Sequence, residues 1–175
     1  FMPFYPGPGL GGHCIPIDPL YLSWKAGQQG IETRFIDLAD QVNREMPVHV
    51  VRRVNDLLNQ EGLAVSQSSV LVVGVAYKSN ISDVRESPAY DVIGLLDDRG
   101  ANISYHDPFV STFEVEGESY QSVHLTPERL AQTDLVLVLT DHDDIDFTRL
   151  VNYSSLVFDT RNATDGIESE SVVRL

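Results

Sequence analysis

Residues 70–78 read VLVVGVAYK, an apolar and largely β-branched run that ends in a tyrosine and a lysine. A run without alternating polar residues is typical of a strand buried on both faces, as the strands of parallel sheets are. We therefore predict a buried strand over 70–75. The fold class follows from what lies on either side of it.

Helix and strand patterns alternate on the carboxyl side of this strand. Ser87-Pro88 predicts the start of a helix and Gly100 its end, which gives a helix over about 87–99. The remaining predictions are a strand at 102–106, a short helix at 126–132, a strand at 135–139, a helix at 146–152 and a strand at 156–158. This alternation implies right-handed crossovers, and hence an α/β fold with an open, parallel, Rossmann-like sheet.

Polar residues follow each of the four main strands, at the edge where open α/β sheets bind ligands. The four groups are Ala76-Tyr77-Lys78, His106-Asp107-Pro108, Thr140-Asp141-His142 and Asp159-Thr160-Arg161-Asn162. Lys78 is a candidate ligand for an anion, although a solvated loop cation is an equally good interpretation. Arg161 is a second candidate, unless Asp159 simply pairs with it. No GxGxxG fingerprint follows the first strand, so the sheet lacks the usual NAD loop.

Apolar residues recur at spacings of three and four over residues 20–62, which predicts helices. The longer pattern runs from about 35 to 58, and Gly62 is a plausible stop. Pro47 interrupts it and predicts either a kink or the start of a second helix. The apolar stripe is wide, so the next domain or a second copy of the chain must cover it. We favour a dimer.

Residues 1–19 read FMPFYPGPGLGGHCIPIDP, and their prolines and glycines predict an ordered but irregular loop. Cys14, the only cysteine, lies in this loop. An inert core cysteine belongs on a periodic element, whereas functional residues collect in loops, so Cys14 is a candidate nucleophile. A lone cysteine forms no internal disulfide, and a reducing cytoplasm is the default location.

The neighbours of Cys14 allow other hypotheses. His13 invites a Cys-His hydrolase interpretation, but adjacent residues of an extended loop usually point apart. A metal site built from His13, Cys14 and Asp18 matches no common zinc spacing, so we predict no metal. Asp18 is as compatible with capping the following helix as with a catalytic role.

The composition excludes several classes of function. Lys and Arg number 12 against 26 Asp and Glu, a net charge of −14, which disfavours nucleic-acid binding. A solvated acidic surface explains this charge, and a salt-adapted source is an alternative. We expect no membrane association, because no apolar run is long enough to span a bilayer and no signal peptide is evident. The chain opens inside a Gly/Pro motif, so we expect a fragment of a longer protein.

Several ordered motifs together resemble one family. PGPGLGGHCIPIDPLYL (6–22), VLVVGVAYKSNISDVRESPA (70–89), YHDP, TDH and FDTRN resemble segments of the UDP-glucose/GDP-mannose dehydrogenases. The likeness covers essentially all 175 residues. It is strongest to the branch that oxidises UDP-N-acetylhexosamines, the UDP-N-acetylglucosamine and UDP-N-acetylmannosamine 6-dehydrogenases.

The resemblance implies a domain organisation and a reaction. Residues 1–66 would form an active-site loop and a central helical dimerisation segment, and residues 67–175 a UDP-sugar-binding domain. The reaction would oxidise the sugar's C6 alcohol to a carboxylate, with two NAD⁺ reduced, through a thiohemiacetal and a thioester on Cys14. The amino-terminal NAD domain is missing, so the fragment alone should be inactive. The product would serve polysaccharide biosynthesis.

The resemblance also assigns residues to roles. Catalytic roles fall to Cys14 and Asp18. Contacts with the nucleotide sugar fall to Tyr5, Pro6, Gly7, Pro8, Gly9, Leu10 and Gly11 of the loop, and to Tyr77, Lys78 and Arg161 of the sheet domain. Contacts with NAD fall to Cys14, Ile15, Pro16, Ile17 and Arg85.

One departure from the family pattern bears on the substrate. UDP-glucose dehydrogenases carry a lysine three residues after the cysteine, where this chain has Ile17. That difference speaks against UDP-glucose. Two non-enzymatic hypotheses stay open: a nucleotide-sugar-binding module without catalysis, and a self-associating structural domain.

Overall fold

The computed structural model describes residues 5–175, so the first four residues of the predicted loop lie outside it. The helices are α1 (Asp18–Gly27), α2 (Arg34–Gln60), α3 (Pro88–Asp97), α4 (Pro127–Gln132) and α5 (Phe147–Tyr153), with a short 3₁₀ helix at Val65–Gln67. The strands are β1 (Ser69–Val73), β2 (Asn102–His106), β3 (Thr112–Val115), β4 (Glu118–Gln121), β5 (Leu135–Val138), β6 (Val157–Asp159) and β7 (Val172–Arg174).

The main sheet has five parallel strands in the order β2-β1-β5-β6-β7, which confirms the predicted Rossmann-like architecture. Strand β1 lies between β2 and β5. Val70 of β1 is opposite Ile103 of β2 on one side and Leu135 of β5 on the other. Its side chains alternate between two cores. Those of Val70 and Val72 pack with α2 and α3, and those of Leu71 and Val73 pack with α4 and α5.

The predicted elements of the sheet domain are all present, with small differences at their ends. The largest are the ends of β1 at Val73 and of α3 at Asp97, each two residues earlier than predicted. Strand β1 stops because Gly74 has φ 81°, a left-handed conformation that leaves the strand. The hairpin β3–β4 and the edge strand β7 were not predicted.

Helix α2 divides into two halves with different surroundings. It runs unbroken through Pro47, so the prediction of a second helix starting there is wrong. Apolar residues of its carboxyl half, such as Val50 and Val54, are buried against the sheet domain. In the amino half Phe35 is 89% exposed, and Leu38 and Val42 are also exposed. The next domain therefore covers half of the predicted stripe. Within residues 5–175 no helix combines the length and apolarity needed to cross a bilayer.

The turn after β1 yields a test of the fold. Gly74 has φ 81°, and a Cβ there would lie 2.5 Å from the carbonyl oxygen of Thr140. Gly166 has a similar φ of 76°, but a Cβ there would have no atom within 4 Å. We expect Gly166→Ala to lower the free energy of unfolding by about 1–2 kcal/mol, the cost of a left-handed side chain. Gly74→Ala should cost clearly more, because β1 and the segment after β5 would have to separate.

Urea unfolding of both variants measures this difference. Equal losses of stability would show that the close approach of Gly74 to Thr140 does not constrain the sheet.

Candidate active site

The glycine-rich loop lies against the turn that follows β1. The Gly12 N–H donates to the carbonyl of Arg85 at 3.0 Å. A Cβ at Gly11 would lie 2.5 Å from the Glu86 carbonyl oxygen and 2.7 Å from Cβ of Tyr77, and one at Gly12 would lie 2.9 Å from the Tyr77 ring. All three distances are shorter than real Cβ contacts allow. The two glycines therefore admit Tyr77 and the backbone of the turn.

Helix α2 holds the same loop from another side. The Asn43 side chain accepts from the Leu10 N–H at 2.7 Å and donates to the Leu10 carbonyl at 3.3 Å, as a neighbouring peptide group would. Pro47 has no N–H to donate to the Asn43 carbonyl four residues earlier. Gly9 approaches that carbonyl, since a Cβ at Gly9 would lie 3.5 Å from its oxygen. The one backbone hydrogen bond that Pro47 cannot make is thus absent at the place where the loop meets the helix.

Arg161 follows strand β6, and its side chain reaches the beginning of the glycine-rich loop. Its Nε donates to the Leu139 carbonyl at 2.8 Å, and a Cβ at Gly7 would lie 2.7 Å from Nη1. The Asp159 carboxylate accepts from the backbone N–H of Arg161 and from Thr164, so the simple side-chain pairing that the sequence allowed is replaced by a backbone contact. Burial lowers the pKa of Arg161, and the charge of Asp141 opposes that shift.

A groove lies between the loop and the amino half of α2. Its volume is about 540 Å³. The loop wall includes Tyr5, Pro6 and Gly7, the helix wall is apolar apart from Asn43, and Arg161 is the one cation among the lining residues. A cavity with one apolar wall and a single convergent cation has the character of a small-molecule site.

Cys14 is exposed, as expected for a nucleophile. Its carbonyl accepts from the N–H groups of Ile17 and Asp18 at 3.2 and 2.8 Å, and this turn leads into α1. Ile17 occupies the N-cap position, and Asp18 is the first helical residue, without a side-chain capping bond. Of the two roles that the sequence left open for Asp18, capping of the helix is therefore not the one that the structure shows. Its exposed carboxylate lies one helical turn beyond the thiol.

Arg85 forms an ion pair beside the thiol. Its guanidinium donates to Asp83 at 2.6–3.0 Å, and these bonds lower the pKa of Asp83 to about 2. The hydrogen bond and the charge of Asp83 raise the pKa of Arg85, and a charge on Cys14 would add to that rise. Lys78 is exposed, with its Nζ 6.0 Å from the centre of the Tyr77 ring.

The structure thus brings predicted site residues together at two places. Gly7 meets Arg161, and Gly11 and Gly12 meet Tyr77, whereas Lys78 extends towards solvent. Across residues 5–175, no three His, Cys, Asp or Glu side chains converge as ligands of a metal would.

Three further residues that shape the site were not singled out from the sequence. Asn43 was hidden within a helical pattern, although a polar residue four positions before an interior proline is a usable signal. Asp107 and His142 were noticed only as polar residues after strands. They form a buried pair, with the His142 Nε2 3.0 Å from the Asp107 Oδ2.

Comparison with known proteins assigns both halves of the chain to one family. Residues 71–166 match the UDP-binding domain of the UDP-glucose/GDP-mannose dehydrogenase family, and residues 1–45 match its central domain. The chain is 36% identical over 165 residues to a UDP-N-acetyl-D-mannosamine dehydrogenase of Methanococcus maripaludis, covering 90% of this chain and 36% of that protein. It is 31% identical over 142 residues to a UDP-N-acetyl-D-glucosamine 6-dehydrogenase of Salmonella typhi, covering 81% of this chain and 33% of that protein.

A solved structure agrees with these matches. The UDP-glucose dehydrogenase of Pyrobaculum islandicum superimposes with a TM-score of 0.77 at 29% identity, over 95% of this chain and 38% of that one. The chain spans about a third of the length of the curated relatives that it matches.

The contact between Asn43 and the loop predicts a local effect. In Asn43→Ala the Leu10 backbone loses both partners, so we expect its amide to exchange with deuterium roughly tenfold faster, with a loss of about 1 kcal/mol in the free energy of unfolding. Hydrogen exchange followed by NMR measures the first quantity and urea unfolding the second.

The matched control is Asn59→Ala, the same change at an exposed position of α2. It should leave Leu10 exchange unaltered. Equal exchange in Asn43→Ala and the parent protein would show that Asn43 does not hold the loop.

Proposed function

Since the chain belongs to the UDP-glucose/GDP-mannose dehydrogenase family, we propose that it is the carboxy-terminal part of an NAD-dependent UDP-N-acetylhexosamine 6-dehydrogenase. In this proposal the protein oxidises the sugar's C6 alcohol to a carboxylate. The observation that carries it is the exposed thiol of Cys14 on a loop held against Tyr77 and Arg161. An inert structural cysteine would have no need of this placement.

We place the nucleotide sugar in the groove beneath the loop. Arg161 is partly desolvated, and a guanidinium in that state binds a phosphate strongly because little water competes with it. Tyr5 and the loop backbone line the wall that faces α2. There a sugar or base can stack on the Tyr5 ring and accept hydrogen bonds from backbone N–H groups. Lys78, exposed beside Tyr77, is assigned a second contact with the diphosphate. Ile17 in place of a lysine favours an N-acetylated sugar over glucose.

The described residues fit the nicotinamide end of NAD⁺ but not its pyrophosphate. Ile15 is 45% exposed and lies next to Cys14, which offers an apolar surface beside the thiol. The first two residues of α3 offer no free N–H group to a phosphate, because the Ala89 N–H donates to the Ser87 side chain and Pro88 has no N–H. We assign the nicotinamide end to Cys14, Ile15, Pro16, Ile17 and Arg85. The pyrophosphate is assigned to a further, dinucleotide-binding domain.

The proposed chemistry centres on Cys14. The chemistry that NAD⁺ supplies when bound is acceptance of a hydride in each of two oxidations. After the first oxidation the Cys14 thiolate attacks the aldehyde carbon and forms a thiohemiacetal. The second oxidation converts this adduct to a thioester, and water then cleaves the carbon–sulfur bond to release the carboxylate and the thiol. Four electrons leave the sugar, matching two NAD⁺ reduced.

Asp18 is assigned the handling of water at the thioester stage. Its carboxylate is exposed and makes no capping bond, so it is free to accept a proton from an attacking water. The hydrogen bond from its N–H to the Cys14 carbonyl fixes the two residues one turn apart. Arg85 carries a positive charge within electrostatic range of Cys14.

The decisive test replaces the nucleophile. In the longer protein that carries a dinucleotide-binding domain, Cys14→Ser should abolish formation of the uronate by orders of magnitude, because an alcohol is a far weaker nucleophile than a thiolate. NADH absorbance and mass spectrometry of the product measure this. Calorimetry should find UDP-sugar binding unchanged. The 175-residue chain alone should release no NADH.

His13→Ala is the control for the neighbouring residue. It should retain uronate formation, because the proposal gives the imidazole no role. Normal turnover in Cys14→Ser would contradict the role of Cys14 as the nucleophile. A parent protein that binds UDP-sugars but forms no uronate would favour a nucleotide-sugar-binding module, and failure to bind any UDP-sugar would favour a structural domain.

The proposal includes a homodimer through the central helices. The exposed apolar residues of α1 and α2 include Trp24 at 64% and Phe35 at 89% exposure, a concentration that is unusual on a free surface. A second copy offers a surface of the same kind, so an isologous contact would bury both.

A charge in this surface should disrupt the dimer. Phe35→Glu is expected to convert a particle of twice the chain mass into a monomer, as measured by sedimentation equilibrium. Tyr153→Glu, a similar change at the 47% exposed Tyr153 of α5, should remain dimeric. A parent protein that sediments as a monomer at every concentration would contradict the dimer.

A further inference from the structure

Asp107 and His142 connect the ends of two strands in the interior of the sheet domain. Asp107 follows β2 and His142 follows β5, and both side chains have no exposed surface. The His142 Nε2 and the Asp107 Oδ2 are 3.0 Å apart. The chemistry proposed above uses neither side chain. A buried carboxylate–imidazole pair without a catalytic task needs another explanation.

The hydrogen bonds fix the state of the imidazole. The backbone N–H of Asn80 donates to the His142 Nδ1 at 3.0 Å, so this nitrogen carries no proton. The proton of the neutral ring is therefore on Nε2, where it is donated to Asp107. An imidazolium would bring two N–H groups together at Nδ1 and lose the bond from Asn80.

Asp107 gathers backbone donors around the same carboxylate. Its Oδ2 accepts from the N–H groups of Val75 and Ala76 at 2.8 and 3.1 Å, and its Oδ1 accepts from Phe109 and Val110. Burial opposes ionisation, but the bonds from His142 and from these amides together hold the pKa of Asp107 below its usual value. Its charge is thus compensated in the interior.

The two residues hold opposite ends of one short segment. Asp107 binds the N–H of Ala76, and His142 binds the N–H of Asn80. Asn80 has φ 63°, a strained conformation that its bonds with Asp143 also support. Between the two anchored amides lie residues 77–79. This interval contains Tyr77, on which the glycine loop rests.

We propose that Asp107 and His142 are positioning residues, which fix the segment of Tyr77 and Lys78 at the carboxyl edge of the sheet. They thereby determine where the loop that carries Cys14 packs against Tyr77. The contribution to ligand binding rests on the proposed function, whereas the positioning of the segment does not. The specific requirement is the Nε2–H tautomer of His142, which serves both anchors at once.

Two substitutions separate the two contacts of the ring. In His142→Gln the side-chain amide can still donate to Asp107, but it offers no acceptor at the position of Nδ1. In His142→Asn the shorter amide can accept from Asn80 but does not reach Asp107. We expect the Asn80 amide to exchange with deuterium about tenfold faster in His142→Gln and near the parent rate in His142→Asn, after correction for global stability. His124→Gln, at an exposed histidine, is the control and should change neither rate.

Two further measurements on the same 175-residue chain complete the test. Long-range ¹H–¹⁵N NMR of the parent protein should find His142 as the Nε2–H tautomer at pH 7, and this decides the question even where a variant does not fold. Calorimetry with UDP should find weaker binding to His142→Gln than to His124→Gln.

The outcomes are distinguishable. An imidazolium or an Nδ1–H tautomer, or equal Asn80 exchange in His142→Gln and His142→Asn, would overturn the positioning role. UDP binding of parent strength by His142→Gln would overturn the contribution of this positioning to ligand binding. Absence of UDP binding to the parent chain would contradict the proposed function and leave the exchange and tautomer results to judge the positioning.

Discussion

The close approach of the glycine loop to the turn after β1 is the contact on which the candidate site depends. A side chain at Gly11 would collide with the Glu86 carbonyl and with Tyr77, so the loop can take its place only with glycine there. Gly12 adds a hydrogen bond to Arg85. Since Cys14 follows two residues later, the presentation of the thiol is a consequence of backbone packing and not of loop freedom.

The rigidity behind this contact originates in the centre of the sheet. Strand β1 is buried on both faces and ends at Val73, and at the following Gly74 the chain passes close to Thr140. Beyond that point the backbone has left the ladder, and its N–H groups need other partners. Asp107 and His142 accept from three of them, those of Val75, Ala76 and Asn80. The apolar core and the candidate site are therefore one continuous structure, in which residues that follow the strands hold the turn on which the glycine loop packs.

The sequence predicts this structure well where a local pattern decides it. The apolar run over 70–75 and the alternation after it suffice for a parallel sheet, because burial on both faces leaves no polar alternation. The hairpin β3–β4 was missed, although Glu116-Gly117 at its tip has the positive φ angles of a tight turn. Strand β7 has three residues, too few for a periodic signal. The capping role that the sequence left open for Asp18 is excluded only by the structure, because Ile17 occupies the N-cap position.

The parts of the site that the sequence could not supply are those that depend on tertiary contacts. Asn43 has the spacing of a helix surface residue, and only the fold brings it to Leu10, 33 positions away. The same helix presents Phe35 and Val42, which line the groove and are exposed. One face of α2 thus holds the loop while the adjoining face is apolar and uncovered. In the proposed dimer, a second copy that packs on this apolar face would cover the groove that Arg161 also lines. Dimer formation would then also exclude water from a ligand bound in the groove.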